Sequence, residues 1–65
     1  MKKFVIITSS ESSDQYTYFV ESEEIPSEEQ LDKFLLENAN DKDDDEVYEY
    51  VNEVIEIKEE NFIKI

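Results

Sequence analysis

The chain has 65 residues, of which 19 are Asp or Glu and only six are Lys, so its formal net charge is −13. It contains no histidine, cysteine, tryptophan or glycine. Without cysteine or histidine it cannot form a disulfide, a zinc finger or a Ser-His-Asp triad. Without glycine it has neither a P-loop nor a Rossmann fingerprint. Direct nucleic-acid binding is also disfavoured, because it requires Lys and Arg to displace counterions from phosphate.

The length predicts one small acidic domain over residues 1–65 with a thin core, since so short a chain buries only about 60% of its unfolded surface. The apolar run at residues 4–7 is shorter than the ~7–15 residues of a signal-peptide core. No segment approaches the ~20 apolar residues of a membrane span. We therefore expect a soluble, cytoplasmic protein that needs no cofactor and does not bind a membrane.

A β-hairpin is predicted at the start of the chain. Residues 3–8 form a β-branched apolar run, which is typical of a well-buried strand. Residues 9–14 are polar and predict a loop. Residues 15–21 alternate in polarity and place Tyr16 and Tyr18 on one face of a second strand. Two strands joined by so short a loop favour antiparallel pairing.

A helix is predicted over residues 28–38. Ser27 can cap its first turn and Gln30 can return the hydrogen bond, as in a capping box. Asn38 and Asn40 are the candidate C-cap residues, because no glycine is present to adopt a left-handed conformation. The apolar stripe of this helix, at helical spacing, consists of Leu31, Phe34 and Leu35.

The pattern after the helix is ambiguous. Residues 41–46 predict a solvated acidic loop. The apolar positions that follow fit helical spacing, yet the segment is rich in β-branched residues and tyrosine, which favour a strand. We expect a short helix or irregular turn at 44–52, a strand at 53–58 and a further short strand at 61–65. The predicted fold is α+β, a small ββα(α)β domain with a mostly antiparallel sheet and one main helix on one face.

The acidic loop carries a D-x-D-x-D pattern at Asp41, Asp43 and Asp45, as at the start of an EF-hand. An EF-hand is excluded, because its sixth position requires glycine but is Glu46, and its twelfth requires glutamate but is Asn52. Three interpretations stay open: a weak site for a divalent cation, a solvated loop that caps the next element, and a contact surface for a basic partner.

The predicted helix carries carboxylates and one unexpected leucine. Glu28 pairs with Asp32 at i, i+4, but nothing nearby would desolvate either group and separate their pKa values as acid–base catalysis requires. We therefore expect no enzyme. Leu36 lies among the charged residues of the helix, where it is either an ordinary surface leucine or an anchor for a partner's pocket.

Four tyrosines form a further group, Tyr16, Tyr18, Tyr48 and Tyr50. Tyrosine packs well in small cores and is also enriched at interfaces. Two interpretations follow, namely core or rim packing, and an aromatic surface or homodimer seam.

The element order and composition resemble those of small acidic bacteriophage inhibitors of host nucleic-acid enzymes, and the layout is closest to the tiny phage uracil-DNA glycosylase inhibitors. The resemblance rests on a tyrosine-rich second strand at 15–18, a capped helix at 27–37 and a closing strand at 54–58. It implies a homodimer whose apolar pocket grips a side chain of the enzyme. Phage anti-CRISPR proteins, which act against host defence, share this general character.

Carboxylates at regular spacing can imitate DNA phosphates. Residues i and i+4 of a helix are about 6 Å apart along its axis, and same-face residues of a strand are about 6.6 Å apart. We therefore expect a non-enzymatic DNA mimic that binds a basic, nucleic-acid-binding protein. The alternative is a small acidic structural or solubilising domain. The candidate partner-binding residues are Glu28, Glu29, Asp32, Leu36, Glu37, Asp41, Asp43, Asp44, Asp45 and Glu46.

Salt should stabilise this protein if its carboxylates repel one another. The Debye length falls from ~10 Å at 0.1 M to ~3 Å at 1 M salt, so repulsion between exposed charges is screened. We expect the melting temperature, followed by circular dichroism, to rise between 0.1 and 1 M NaCl. A flat or falling curve would mean that the acidic groups are already paired or well separated.

Overall fold

A computed structural model describes residues 1–43 and 46–65. Three antiparallel strands form one sheet in the order β2-β1-β3, and one helix accompanies it, so the fold is a small α+β domain as the sequence predicts. No helix in the described part of the chain has the length and apolar character needed to cross a membrane. The elements are β1 (Lys2–Ser10), β2 (Gln15–Ser22), α1 (Glu28–Asn38), β3 (Glu49–Ile57) and a 3₁₀ helix (Glu59–Asn61).

The apolar first segment forms the central strand of the sheet. β1 pairs with β2 on one side and with β3 on the other, and both pairings are antiparallel. Because β1 has a neighbour on each side, its backbone groups are used in two ladders and its apolar residues serve both faces of the sheet. The hairpin is confirmed, with a loop at residues 11–14. At its tip Ser13 has a φ of 70°, in the left-handed region that glycine favours.

The two faces of the sheet differ in what covers them. The inner face contains Phe4, Ile6 and Tyr18, and α1 packs against it through Phe34, whose ring meets that of Tyr18 edge to face at a centroid distance of 5.2 Å. No helix of the described residues covers the opposite face, which we call the open face. Strand alternation and the register place on the open face Lys3, Val5, Ile7, Ser9, Gln15, Thr17, Phe19, Glu21, Tyr50, Glu53, Ile55 and Ile57.

The helix begins as its sequence predicts. The Ser27 hydroxyl accepts a hydrogen bond from the Gln30 backbone N–H at 3.2 Å, and the Gln30 side chain accepts one from the Ser27 N–H at 2.9 Å. The capping box is therefore confirmed. Leu35 is buried against the sheet, in agreement with the predicted apolar stripe.

The predicted bounds of the helix, residues 28–38, are confirmed. The predicted C-cap is wrong, because it is neither Asn38 nor Asn40. Ala39 takes that position in an extended conformation, with φ −56° and ψ 141°. The Lys42 ammonium donates to the carbonyls of Leu36 and Glu37 at 2.8 and 3.0 Å. The Lys42 cation lies at the negative end of the helix dipole and hydrogen-bonds carbonyls that the backbone N–H groups of a glycine-based turn would otherwise bind.

The prediction of a short helix or irregular turn at 44–52 is wrong from residue 49 onward, whereas residues 46–48 are irregular, as one of its two alternatives states. β3 begins at Glu49, so residues 49–52 are strand rather than helix or irregular turn; positions 44 and 45 lie outside the described residues. A bulge explains the misleading pattern. Ile7 pairs with Glu53 but Thr8 pairs with Val51, so one extra residue, Asn52, interrupts the alternation. The extra residue converts a spacing of two into a spacing of three, which resembles helical periodicity.

The predicted last strand at 61–65 is wrong as well. The chain forms the single 3₁₀ turn after β3, and residues 62–65 that follow are without regular structure. All four of these terminal residues are exposed.

The core changes from apolar to polar along β1. Phe4 and Ile6 are buried at one end of the inner face, while Thr8 and Ser10 are buried at the other. The polar end also contains Glu49, whose side chain is only 5% exposed. In the described part of the chain the buried apolar residues are Phe4, Ile6, Leu35 and Ala39, which is a small core even for a domain of this size.

Glu49 is held by donors from three other parts of the chain. One carboxylate oxygen accepts hydrogen bonds from Thr8 and from Tyr18, both at 2.7 Å, and the other accepts from the Asp41 backbone N–H at 2.8 Å. Burial raises the pKa of Glu49, but the hydrogen bonds from Tyr18, Thr8 and the backbone outweigh burial and leave the pKa below its ordinary value. The ionised carboxylate therefore joins β1, β2, β3 and the loop after α1.

Replacing Glu49 with glutamine should destabilise the protein by about 2 kcal/mol at neutral pH, because hydrogen bonds to a charged acceptor are lost. The stabilisation from the depressed pKa is present above the ordinary value of 4.5 and is lost as the pH falls through the lower folded-state pKa. We expect urea unfolding to show a difference between wild type and Glu49→Gln that is constant from pH 7 to 5.5 and shrinks below pH 4.5.

Glu53→Gln is the matched control, because it removes the same charge from an exposed position on β3. It should leave stability nearly unchanged or raise it slightly by reducing repulsion. Equal effects of the two substitutions at every pH would contradict a special role for Glu49.

Candidate functional site

Exposed carboxylates cover the outer side of α1. The helix turns its apolar stripe toward the sheet, and its acidic residues occupy the remaining surface. Glu28 and Asp32 lie one turn apart, with about 6 Å of helix rise between them. We call this group the acidic helix surface; its members, all exposed, are Glu28, Glu29, Asp32 and Glu37.

Leu36 lies within the acidic helix surface. Its side chain is 51% exposed, and it follows Asp32 by four positions, so the two side chains are neighbours on the helix. The carbonyl of Leu36 is held by Lys42, which fixes the backbone at this position. The arrangement places one apolar group on a charged and locally rigid surface.

The acidic loop, residues 41–46, continues from the C-terminal end of α1. Asp41, Asp43 and Glu46 belong to its described part, whereas the predicted positions Asp44 and Asp45 lie outside the described residues. The Tyr48 hydroxyl is 2.9 Å from a carboxylate oxygen of Asp43 and 2.9 Å from one of Glu46. These hydrogen bonds raise the pKa of Tyr48, because the phenolate would face two carboxylates.

Backbone contacts hold the loop against the sheet. Tyr48 N–H donates to the Asp41 carbonyl at 2.8 Å, and Glu11 N–H donates to the Tyr48 carbonyl at 3.0 Å. The local field is strongly negative. Burial and then the nearby carboxylates of Asp14, Asp41 and Glu49 raise the pKa of Tyr16. The loop end of the molecule is therefore suited to a positively charged ligand surface.

The four tyrosines do not form one surface. Tyr16 and Tyr18 are on the inner side of β2, and the Tyr18 hydroxyl accepts a hydrogen bond from the Asn40 side chain at 2.8 Å while donating to Glu49. Tyr48 belongs to the acidic loop end. Tyr50 is on the open face and is 56% exposed.

Charge is distributed unevenly between the two sides of the molecule. The open face holds two of the 19 acidic residues, Glu21 and Glu53, together with Lys3. The exposed side of α1 holds four carboxylates and one lysine, Lys33. The described part of the acidic loop adds Asp41, Asp43 and Glu46, with Lys42. Most of the carboxylates in the described part of the chain therefore lie outside the open face.

A shallow groove of about 180 Å³ runs beside the N-terminal half of α1. Val20, Pro26, Leu31 and Phe34 supply most of its apolar lining, and Glu21 and Gln30 lie at its border. It can accept an apolar side chain next to the acidic helix surface. Within residues 1–43 and 46–65, no three acidic side chains converge closely enough to hold a metal ion.

Sequence reasoning missed Glu49 and Lys42. One feature of the sequence could have indicated Glu49. It lies between two tyrosines and two positions before Val51, so strand alternation places it on the inner face with Val51. No signal in the sequence marks Lys42 as the group that completes the helix. Comparison with protein-family models, curated proteins and solved structures found no match to this chain.

Removing the Tyr48 hydroxyl should loosen the acidic loop without unfolding the domain. In Tyr48→Phe the Asp43 and Glu46 carboxylates lose their shared donor and repel each other. We expect faster hydrogen exchange at the backbone N–H groups of residues 43 and 48, with little change in melting temperature. Tyr50→Phe is the matched control, and equal exchange at these sites in both variants would show that the hydroxyl does not hold the loop.

Proposed function

We propose that this protein is a non-enzymatic binding protein whose acidic side occupies the basic, nucleic-acid-binding site of another protein. In this proposal it is an inhibitor of the phage type, acting by DNA mimicry on a host protein. The observation that carries the proposal is that α1 and the described part of the acidic loop carry seven carboxylates, whereas the open face carries two.

Spacing supports the proposal. Successive turns of α1 present Glu28 and Asp32 about 6 Å apart, and Glu37 lies about 14 Å along the helix from Glu28. Asp41 and Asp43 follow the helix end on either side of Lys42, which binds the carbonyls of Leu36 and Glu37. Duplex DNA presents one negative charge per ~1.7 Å of axis over its two strands, so a basic groove that binds DNA can bind such a row of carboxylates.

Rigidity supports it as well. Affinity improves when charged groups need not be ordered on binding. The capping box fixes one end of α1, Lys42 fixes the other, and Glu49 ties the start of the acidic loop to the sheet through the Asp41 N–H. The carboxylates therefore sit on a frame that is already formed.

The second candidate function is a small acidic domain that only keeps its surroundings dispersed. Repulsion by net charge needs no particular placement of the carboxylates. The two candidate functions predict different results when carboxylates are removed from one part of the surface. Mimicry predicts that binding depends on which carboxylates are removed, whereas the solubilising function predicts no such dependence.

Capture from a bacterial lysate at low salt should depend on where the carboxylates lie. We expect immobilised wild-type protein to retain nucleic-acid-binding proteins that excess duplex DNA releases. The variant Glu28→Gln/Glu29→Gln/Asp32→Asn should lose most of them, because it removes charge from the acidic helix surface. The control, Glu53→Gln/Glu59→Gln/Glu60→Gln, removes the same charge elsewhere and should retain them. Equal losses in the two variants would favour the solubilising function.

The Leu36 side chain should affect the rate at which the partner complex dissociates rather than the rate at which it forms. If its side chain fills an apolar pocket of the partner, Leu36→Ala should speed dissociation about tenfold, an effect of about 1–2 kcal/mol. Surface plasmon resonance with the purified partner measures both rates. Ile25→Ala, at an exposed apolar position outside α1, is the control. Slower association with unchanged dissociation would contradict the anchor role.

A further inference from the structure

The open face carries a cluster of apolar side chains on a protein that is otherwise strongly acidic. Phe19, Val5 and Ile55 are directly paired across the three strands and form one row. Phe19 is 76% exposed and Ile55 is 45% exposed. Ile7 and Ile57 continue the apolar surface on either side of this row. An apolar surface that spans the full width of a sheet is typical of an interaction site.

The small core indicates that this surface is buried in the working protein. A domain shorter than ~70–80 residues rarely obtains enough stability from one core, and it usually adds disulfides, a metal or oligomerisation. This chain has no cysteine, and its described part buries few apolar side chains, Phe4 and Ile6 foremost among them. Covering the open face would give the sheet a second core layer.

Charge distinguishes between the possible occupants. A basic partner would be attracted to the acidic helix surface and the acidic loop, not to a face with two carboxylates and one lysine. A second copy of this chain is repelled everywhere except where its charge is lowest, which is the open face. Stacking two such faces about a twofold axis across the strands at Val5 brings Lys3 of one copy toward Glu53 of the other, as an isologous interface allows.

The area of the open face is too small to form a standard dimer interface without an additional segment of the chain. Three strands of about 30 Å length and about 4.8 Å spacing offer roughly 400 Å² of flat surface, whereas a standard interface uses about 800 Å² per partner. The C-terminal residues 62–65 follow β3 and are exposed, and three of these four residues are apolar, namely Phe62, Ile63 and Ile65.

We propose that the open face binds a second copy of this chain, sheet against sheet, with residues 62–65 of each copy covering the rim of the joined faces. The resulting dimer places both acidic helix surfaces outward. This inference does not depend on the proposed function, because it rests on the opposite side of the molecule.

Sedimentation equilibrium tests the proposal directly. We expect the wild-type protein to reach twice its chain mass of 7.8 kDa at micromolar concentration, with tighter association at higher salt as repulsion is screened. Phe19→Asp should raise the dimer dissociation constant at least about 30-fold. Ile25→Asp adds the same charge at an exposed apolar position outside the face and should have a much smaller effect. A monomeric wild type, or equal effects of the two variants, would overturn the proposal.

Spin labels keep the test valid if Phe19→Asp fails to fold. Because the chain has no cysteine, Thr17→Cys and Asp32→Cys each provide a single labelling position, on the open face and on α1. Packed sheets are about 10 Å apart, so the distance between copies should be shorter for labels at 17 than at 32. The reverse order, or no coupling between copies at either position, would overturn the arrangement.

Ending the chain after Asn61 tests the terminal residues. We expect the dimer dissociation constant to rise about tenfold, an effect typical of losing interface side chains. An unchanged dissociation constant would exclude residues 62–65 from the interface.

Discussion

A single buried carboxylate organises one end of this protein. Glu49 brings together Thr8 from the central strand, Tyr18 from β2 and the Asp41 N–H from the loop after the helix. A charge in this position is tolerable only because its hydrogen-bonding capacity is used, and its removal would leave the donors around it unpaired. The small apolar core occupies the other end of β1. Hydrogen bonds to Glu49 therefore stabilise one end of the strand, and apolar burial stabilises the other.

This polar anchor explains how a glycine-free, highly acidic chain presents its charges in an ordered way. The loop that carries Asp41 and Asp43 is tied at its start to Glu49, and Lys42 at the same place completes the helix. The like charges of the loop and of α1 thus share one side of the molecule at the cost of mutual repulsion. Solubility through net charge does not require this placement of the carboxylates, and the proposed binding role rests on it.

The two proposals assign separate tasks to the two sides of the sheet. The inner face carries α1 and, through it, the carboxylates offered to a basic partner. The open face contains Val5, Phe19 and Ile55 in one row and is offered to a second copy. Dimerisation would double the number of outward acidic surfaces without using any of them, so the two proposals are compatible with each other.

The sequence predicts the parts of the fold that depend on local patterns. The run at residues 3–8, the alternation at 15–21 and the Ser27–Gln30 capping box each depend on neighbouring residues, and each is found in the structure. The start of β3 was not predictable in this way, because the bulge at Asn52 depends on pairing with a distant strand.

The C-cap of the helix and the role of Glu49 were not predicted, and the physical reason is the same for both. The helix ends through Lys42, which lies beyond the predicted cap positions. Glu49 contacts Thr8, 41 positions away, and a contact at that separation leaves no periodic signal. In contrast, the sequence could predict that the charged residues of α1 are exposed, because the helical pattern alone places them away from the apolar stripe.

The claim that the acidic side replaces nucleic acid is tested most directly by competition at one site. A fluorescent duplex DNA is bound to the purified basic partner at moderate salt, and its anisotropy is followed as this protein is added. We expect the anisotropy to fall to the value of free DNA. The concentration of this protein needed for half of the fall should increase in proportion to the concentration of DNA in the assay. An anisotropy that stays constant or increases, with partner, DNA and this protein eluting together in gel filtration, would contradict the mimicry mechanism.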